Sequence, residues 1–257
     1  MSNVESLPIL LKQLKLQTIS REWQATEAVA ADKSWRHAHY LAELCELEAN
    51  QRLQNRIKRM SKASMLPTGK TLSNFKFKEA PSIPQSVIEA LAEDTTWTQL
   101  AHNVVIFGPS GVGKTHLASA IGHRLIEQGV KVFFSSTTAL VQKLQLAREQ
   151  YRLPEMMQKL GRFELLILDD IGYAKKDDAE TSVLFELIAD RYENRSLLIT
   201  SNQPFSEWDS IFPDNMMAVA AIDRLVHHSR IINIEEGSYR QAIAQRNQAQ
   251  ADKTTRQ

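Results

Sequence analysis

Apolar side chains recur every three or four positions through residues 1–60, the spacing that places them on one face of a helix. They are Leu7, Leu10, Leu11, Leu14, Leu41, Leu44, Leu47, Leu53, Ile57 and Met60. The first glycine is Gly69, and the only early proline, Pro8, stands near an expected helix start. The pattern predicts a small all-helical N-terminal domain, to which we assign residues 1–66.

A different rhythm begins at Asn103, where short apolar runs alternate with longer helical segments. The runs are Val104–Phe107, Val130–Phe134, Leu165–Leu168, Leu197–Thr200 and Ile231–Ile234. They are rich in Val, Ile, Leu and Phe and show no alternation of apolar and polar residues, which is typical of strands buried on both faces. We therefore predict an α/β domain whose parallel sheet carries helices on both sides.

The two parts are joined by the segment Ser64–Pro84, in which three prolines and one glycine predict a linker. A short helix is expected to follow at Gln85–Leu91. We place the second domain at residues 67–257, with residues 67–84 as its linker.

The composition is that of a folded protein, since 43% of the 257 residues are apolar and 24% are charged. The single cysteine, Cys45, excludes a disulfide framework or a cysteine-based zinc site within one chain. It fits a reducing, cytoplasmic location, which we expect for this protein.

No run of about 18 apolar residues occurs, so neither a transmembrane helix nor a membrane partner is expected. Residues 1–16 lack the pattern of a secretory signal.

Basic residues are concentrated at one place, although the net charge of the chain is only +1. Eight lysines and arginines, and no acidic residue, lie between Arg52 and Lys78. Three of the arginines are spaced i, i+4 and i+7 and so share a helix face. Positive charge at this density is costly unless a polyanion neutralises it, which predicts contact with nucleic-acid phosphates; a solvated charged face is the alternative. The candidate DNA-binding residues here are Arg52, Arg56, Arg59 and Lys62.

The segment from Gly108 to Thr115 reads Gly-Pro-Ser-Gly-Val-Gly-Lys-Thr and matches the phosphate-loop pattern G-x-x-x-x-G-K-[ST] in full. A predicted strand precedes it and a predicted helix, His116–Gln128, follows it. Glycines let backbone N–H groups point at phosphates, and the helix N-terminus adds positive dipole. Lys114 is expected to reach the β- and γ-phosphates and the Thr115 hydroxyl to ligate Mg²⁺. The candidate ATP contacts are Gly108, Pro109, Ser110, Gly111, Val112, Gly113, Lys114, Thr115 and His116.

Polar residues follow the predicted strands at the ligand side of a parallel sheet. The strand Leu165–Leu168 is followed by two carboxylates, of which Asp169 is expected to hold Mg²⁺ and Asp170 to orient or deprotonate the attacking water. Asn202, after the fourth strand, is a candidate for sensing the γ-phosphate, or simply a turn former. Arg224 is a candidate for completing the site of a neighbouring subunit, or for a structural salt bridge with Asp223 or Glu235.

Taken together, the order of these motifs resembles the AAA+ ATPases of the initiator and helicase-loader group, in particular the IstB type, the helper ATPases of two-gene insertion sequences. The segments that carry the resemblance are Gly108–His116, Leu165–Gly172, Arg191–Arg195, Ser201–Trp208, Asp223–His228 and Ser238–Arg240. The N-terminal helical segment resembles the corresponding module of that type more loosely.

The resemblance implies a five-stranded parallel sheet with flanking helices, ATP bound with Mg²⁺ between subunits, and self-assembly on duplex DNA, which is deformed. Such proteins recruit a cognate transposase, which stimulates hydrolysis. Carried over by position, Lys114, Thr115 and Asp169 bind ATP–Mg²⁺, and Asp170 takes the acidic catalytic position. Asn202 then matches the first sensor and Arg224 the arginine finger.

Two features differ from a complete AAA+ pattern. Residues 235–257 are too few for a full helical lid, so a reduced or absent lid is expected, with Arg240 as a candidate second sensor. Adenine contacts are then expected from the linker, where Phe75 and Phe77 either flank the base or pack in the core.

The stretch Thr137–Gly161 resembles the helical insertion of initiator-type ATPases, where DNA contact and a solvated helix face are the alternatives. Its candidate DNA contacts are Lys143, Arg148 and Arg152.

Three other functions remain open from the sequence. A helicase loader shares the ATPase core but grips single-stranded DNA and a replicative helicase. A small-molecule kinase needs an acceptor pocket, and the basic N-terminal stretch and the Asp169–Asp170 pair argue against it. The last is a nucleotide switch that does not hydrolyse ATP. His227 and His228 are interpreted as surface helix residues rather than ligands.

Overall fold

The computed structural model describes residues 4–172, 178–210, 215–235 and 237. Contacts within the chain divide it into two compact units, Met1–Arg59 and Met60–Gln257. The sequence analysis places the domain boundary after residue 66, a few residues beyond this division at Arg59. That boundary stays a prediction. The tail Ala242–Gln257, whose polar, Gln-rich sequence predicts a fraying helix end, and Arg240 both lie outside the described residues.

The first unit is helical, as predicted. Its helices are α1 (Leu7–Gln13), α2 (Gln17–Asp32) and the start of α3, which spans His37–Ser64. Their small core contains Leu11, Ile19 and Leu44, with Leu7, Leu16, Trp23 and Tyr40 packed against it. The predicted apolar stripe is only partly buried. Exposed members of the stripe include Leu10, Leu14, Leu41 and Leu53.

A buried carboxylate joins these helices. Glu48 on α3 accepts hydrogen bonds from the backbone N–H groups of Thr18 (2.7 Å) and Ile19 (3.2 Å), at the N-terminus of α2. Arg52 completes the joint, with Nε 2.8 Å from Glu48 Oε1 and Nη2 2.7 Å from the Lys15 carbonyl oxygen. Arg52 therefore has a structural partner within the first unit.

The second unit is built on five parallel strands in the order β2-β3-β4-β1-β5. The strands are β1 (Asn103–Phe107), β2 (Val132–Ser136), β3 (Leu165–Asp169), β4 (Ser196–Ser201) and β5 (Ser229–Asn233). The helices are α4 (Gln85–Glu93), α5 (Thr96–Gln99), α6 (Lys114–Glu127), α7 (Thr137–Glu149), α8 (Leu153–Gly161), α9 (Asp178–Arg191) and α10 (Asn215–Val226). The predicted five-stranded parallel sheet is confirmed.

Helices cover both faces of this sheet. Helix α6 contacts four of the strands and carries α4 on its outer side. On the other face, one apolar cluster joins α7, α8, α9 and α10 to alternate strand positions such as Val105, Leu166 and Leu197. Burial on both faces holds for the central strands β1, β3 and β4. It was wrong for β2 and β5, which are the edge strands of the described sheet and are only partly covered.

Candidate functional site

The phosphate loop connects the end of β1 to the start of α6. Gly108, Gly111 and Gly113 have φ values of 154°, 87° and 105°, which side chains rarely adopt. A Cβ at Gly108 would lie 2.8 Å from the Ile234 carbonyl oxygen, so this position also needs glycine for space. The loop has the backbone freedom and the helix N-terminus that a phosphate cradle requires.

Lys114 and Thr115 stand in the first turn of α6. Lys114 is 5% exposed, and its Nζ donates to the carbonyl oxygens of Gly108 (2.8 Å) and Pro109 (3.0 Å), so the ammonium lies inside the loop. The Thr115 hydroxyl donates to Asp169 Oδ2 at 2.9 Å. Hydroxyl and carboxylate oxygens are suitable ligands for Mg²⁺. The structure thus brings together the two residues predicted to hold the ion.

Thr200 connects the Asp169 carboxylate to the backbone of Asp170. It lies on β4, which pairs with β3, and its hydroxyl donates to Asp169 Oδ1 at 2.7 Å. The same hydroxyl oxygen accepts the backbone N–H of Asp170 at 2.9 Å. Asp170 has a φ of 56° and follows β3 on a turn. The sequence analysis did not assign this role to Thr200, although a polar residue ending an apolar strand was a signal for it.

The environment of Asp169 disfavours its charge. Burial raises the pKa of this carboxyl, and the nearby Asp170 raises it further, while hydrogen bonds from Thr200 and Thr115 and the positive charge of Lys70 oppose the shift. A buried carboxylate with a raised pKa is suited to a cation, since the cation favours the ionised form. Lys70, in the linker, is a second residue near this site that the sequence analysis did not single out.

Asn202 lies beside the turn that follows Asp170. A Cβ at Gly172 would lie 3.2 Å from Asn202 Oδ1 and 2.7 Å from Gln203 Oε1, so the lack of a side chain at Gly172 lets both amides approach. Asn202 is exposed and so is accessible to a ligand.

Arg224 lies on α10, and its side chain runs along its own helix. Nη1 donates to the Ala220 carbonyl oxygen at 2.9 Å, and the guanidinium carbon is 5.1 Å from the centre of the Phe185 ring. Among the described residues it makes no ion pair, so the salt bridge with Asp223 or Glu235 is not formed there. Arg224 lies near the end of the helix that leads into β5, whereas Asp169 ends β3 and Lys114 begins α6.

The linker lies against the phosphate loop. The Phe75 ring is so close to Gly113 that a Cβ there would lie 2.8 Å from Phe75 Cε2, and Phe75 packs edge-on against His116 and Phe77. His116 Nε2 is 2.9 Å from the Thr71 carbonyl oxygen. A pocket opens between linker and loop, lined by Phe75, Glu79, Ala80, Val112, Gly113 and His116. Its position fits the predicted adenine side, and Phe77 does not line it.

The candidate DNA-binding residues fall into two groups. Arg56, Arg59 and Lys62 are exposed on α3, while Arg52 pairs with Glu48. In the insertion α7–α8, Lys143 is exposed, whereas Arg148 pairs with Glu186 at 2.6 Å and Arg152 with Glu155 at 3.4 Å. Contact with DNA stays a prediction for all of them.

The strand order, the phosphate loop after β1 and the acidic pair after β3 define a P-loop ATPase fold of the AAA+ class. The chain belongs to the family of IstB-like ATP-binding proteins, whose family model matches residues 9–249. A protein of Sinorhizobium fredii, whose name describes it as an ATP-binding protein of an insertion sequence, is 47% identical over 238 residues, covering 93% of this chain and 80% of the relative. The corresponding protein of insertion sequence IS21 from Pseudomonas aeruginosa is 36% identical, covering 92% and 89%.

Solved structures agree with this fold. The helicase loader DnaC has a TM-score of 0.51 at 22% identity, covering 58% of this chain and 87% of DnaC. The replication initiator DnaA, bound to the ATP analogue AMPPCP and single-stranded DNA, has a TM-score of 0.56 at 22% identity, covering 67% of this chain and 52% of DnaA. In the described part of the chain, no helix is long and apolar enough to cross a membrane.

Proposed function

We propose that this protein is a DNA-binding ATPase that assembles on duplex DNA in the presence of ATP, deforms the DNA and directs a cognate transposase to target sites. Its support is membership of the IstB-like family together with one structural observation. This observation is the chain of contacts from Thr115 through Asp169 to Thr200, which prepares a Mg²⁺–ATP site at the carboxyl edge of the sheet.

In this proposal, Asp170 activates the attacking water. Its backbone is held by Thr200 while its side chain is not needed to hold the ion, so Asp170→Asn should abolish hydrolysis and spare ATP binding. Lys114→Ala is the comparison variant. It removes the ammonium group from the phosphate loop and should weaken ATP binding, whereas Asp170→Asn should not. Loss of ATP binding in Asp170→Asn would contradict the division of roles between Asp169 and Asp170.

The proposed DNA contacts are to phosphates and to DNA shape, because no recognition helix is evident in the sequence. Among the candidates, Arg56, Lys62 and Lys143 are exposed, whereas Arg148 is held by Glu186. Arg56→Ala should therefore reduce DNA affinity and its salt dependence without affecting thermal stability. Arg148→Ala should reduce DNA affinity and also lower thermal stability, because it removes the ion pair with Glu186.

The deciding experiment titrates duplex and single-stranded DNA of equal length with the protein, with and without Mg²⁺–ATP, at two salt concentrations. Cooperative, ATP-dependent preference for the duplex, lost in Lys114→Ala, is the expected result; addition of the cognate transposase should then stimulate hydrolysis. Preference for single strands would instead identify a helicase loader. Absence of DNA binding in every nucleotide state would overturn both functions.

A further inference from the structure

A group of imidazole and carboxylate side chains lies at the edge of the sheet opposite the phosphate loop, where β1 and β5 begin. Glu193, His227 and His228 each place one possible ligand atom so that the three atoms lie within 4.8 Å of one another. All three side chains are exposed, and none takes part in the nucleotide site. Glu193 is distant from the histidines in the sequence, so sequence analysis alone gave no reason to group them.

The backbone fixes the position of this group. Helix α9 ends at Arg191, and Glu193 turns the chain with a φ of 57°. At the end of α10, the His228 carbonyl oxygen accepts the backbone N–H of Asn103 at 2.7 Å. The Asn103 side chain donates in turn to the Leu225 carbonyl oxygen at 3.2 Å. The end of α10 is thus anchored to the edge of the sheet.

Neighbouring rings orient the two imidazoles. The Tyr192 hydroxyl is 2.9 Å from His227 Nδ1, and the His102 ring stacks on His228 with a centroid distance of 5.3 Å. When the phenolic oxygen accepts the Nδ1 proton, Nε2 keeps its lone pair for a metal ion. A hydrogen bond on the second ring nitrogen is a common feature of histidines that ligate metals.

We propose that Glu193, His227 and His228 form a binding site for one divalent transition-metal ion of the Zn²⁺ class, separate from the Mg²⁺ site at Thr115 and Asp169. Imidazole nitrogens favour Zn²⁺ and similar ions over Mg²⁺. Ligand atoms bind Zn²⁺ at about 2.0–2.2 Å, so the three atoms need to approach by about 1 Å, which exposed side chains can do by rotation. The carbonyl ends of α9 and α10 also favour a positive charge here.

Metal binding would connect the turn after α9 to the helix that carries Arg224. Tyr192 and Arg224 line the same surface depression, together with Val219 and Asp223. An ion at Glu193 and His228 would hold the C-terminal end of α10 in place beside that depression.

Equilibrium dialysis against Zn²⁺, followed by metal analysis, tests the proposal. The protein carries no histidine tag, contains Cys45→Ser to remove the exposed thiol, and is kept in excess Mg²⁺. One Zn²⁺ per chain is expected, with affinity lowered at least ~10-fold by Glu193→Gln or His228→Gln, and similarly by Tyr192→Phe through the lost orientation of His227. His37→Gln, which changes an exposed histidine elsewhere, is the control and should bind like the parent.

Three outcomes would overturn the proposal. The first is absence of stoichiometric zinc binding by the parent protein. The second is unchanged affinity in both ligand variants, and the third is an equal loss in His37→Gln. Thermal unfolding without Zn²⁺ should be the same in the Glu193, His228 and His37 variants as in the parent, because these three side chains are exposed. A loss of affinity therefore reports the site rather than the fold.

Discussion

At the scale of single residues, the Asp169 carboxylate lowers the stability of the fold because it is buried, yet it is the group proposed to bind Mg²⁺. Its folded-state pKa lies above the ordinary value of 3.8, chiefly because of burial. For an acid with a raised folded pKa, the folded state holds its proton longer than the unfolded state. This contribution therefore lowers the free energy of unfolding as pH rises from about 4 through the folded-state pKa, and the full cost is present above that pKa.

Asp169→Asn should therefore raise the unfolding temperature of the protein without nucleotide, since it removes a charge that burial disfavours. The same variant should lose the further increase that Mg²⁺–ATP gives the parent protein, because the ion loses its carboxylate. Thermal unfolding with and without Mg²⁺–ATP measures both effects. A lower unfolding temperature of the free variant would mean that the hydrogen bonds from Thr115 and Thr200 outweigh the cost of burial.

Thr200 gives a second test at this scale. Thr200→Val keeps the shape but removes the hydroxyl that bridges Asp169 Oδ1 and the Asp170 backbone. We expect kcat for ATP hydrolysis to fall by about tenfold or more while ATP affinity changes little, as for other residues that orient metal ligands. Thr200→Ser retains a hydroxyl and should restore most of the activity. Equal activity of the valine and serine variants would exclude this role.

At the scale of elements, one buried arginine holds several chain segments together. Arg191, at the end of α9, is 1% exposed. Its guanidinium donates to the carbonyl oxygens of Leu160, Phe163, Glu164 and Ser196, at 2.8–3.3 Å. These oxygens lie after α8 and at the starts of β3 and β4. The arginine therefore joins the end of α8 to the segments where β3 and β4 begin.

Arg191→Met should lower the free energy of unfolding by at least about 3 kcal/mol, because it removes four hydrogen bonds that one buried guanidinium donates. Arg195→Met is the matched control, since Arg195 is exposed four residues further on and should cost less than about 0.5 kcal/mol. Denaturant unfolding of the two variants decides the matter. Similar losses in both would assign the effect to the loss of a positive charge in this region rather than to the buried contacts.

The contact between linker and phosphate loop gives another prediction at this scale. Gly113→Ala should weaken ATP binding, because the φ of 105° is strained for alanine and the added methyl group meets the Phe75 ring. Gly161→Ala, where a methyl group meets nothing within 4 Å, is the control. Titration with a fluorescent ATP analogue compares them. Unchanged ATP affinity in Gly113→Ala would show that the phosphate loop and the linker accommodate the methyl group without weakening the ATP site.

Elements with strong local signals could be predicted from the sequence, and contacts that depend on the assembled sheet could not. The strand starting at Leu165 and the helix following Gly113 have clear apolar patterns, and both were placed within two residues. The phosphate loop was found because its spacing is fixed by the ligand. Thr200 and Arg191 were not assigned their roles, since their partners lie on other strands and helices. Exposure of the edge strands was missed because strand order was unknown.

At the scale of the whole molecule, the remaining question is whether the site is completed by a second copy of the chain. Arg224 makes no ion pair among the described residues and lies near the end of α10, whereas Asp169 ends β3 and Lys114 begins α6. An arginine that supplies charge to a neighbour's transition state is needed for hydrolysis but belongs to a different subunit from the catalytic carboxylate. Its position is consistent with this arrangement.

Mixing two inactive variants distinguishes action within one chain from action between chains. Arg224→Ala keeps Asp170, and Asp170→Asn keeps Arg224, so each alone should hydrolyse little ATP. In a mixed assembly, some sites combine the intact Asp170 of one subunit with the intact Arg224 of the next, and activity should return. No recovery is possible if Arg224 serves its own chain, because every site then keeps one defect. Recovery that requires DNA would further show that the active assembly is the one formed on DNA.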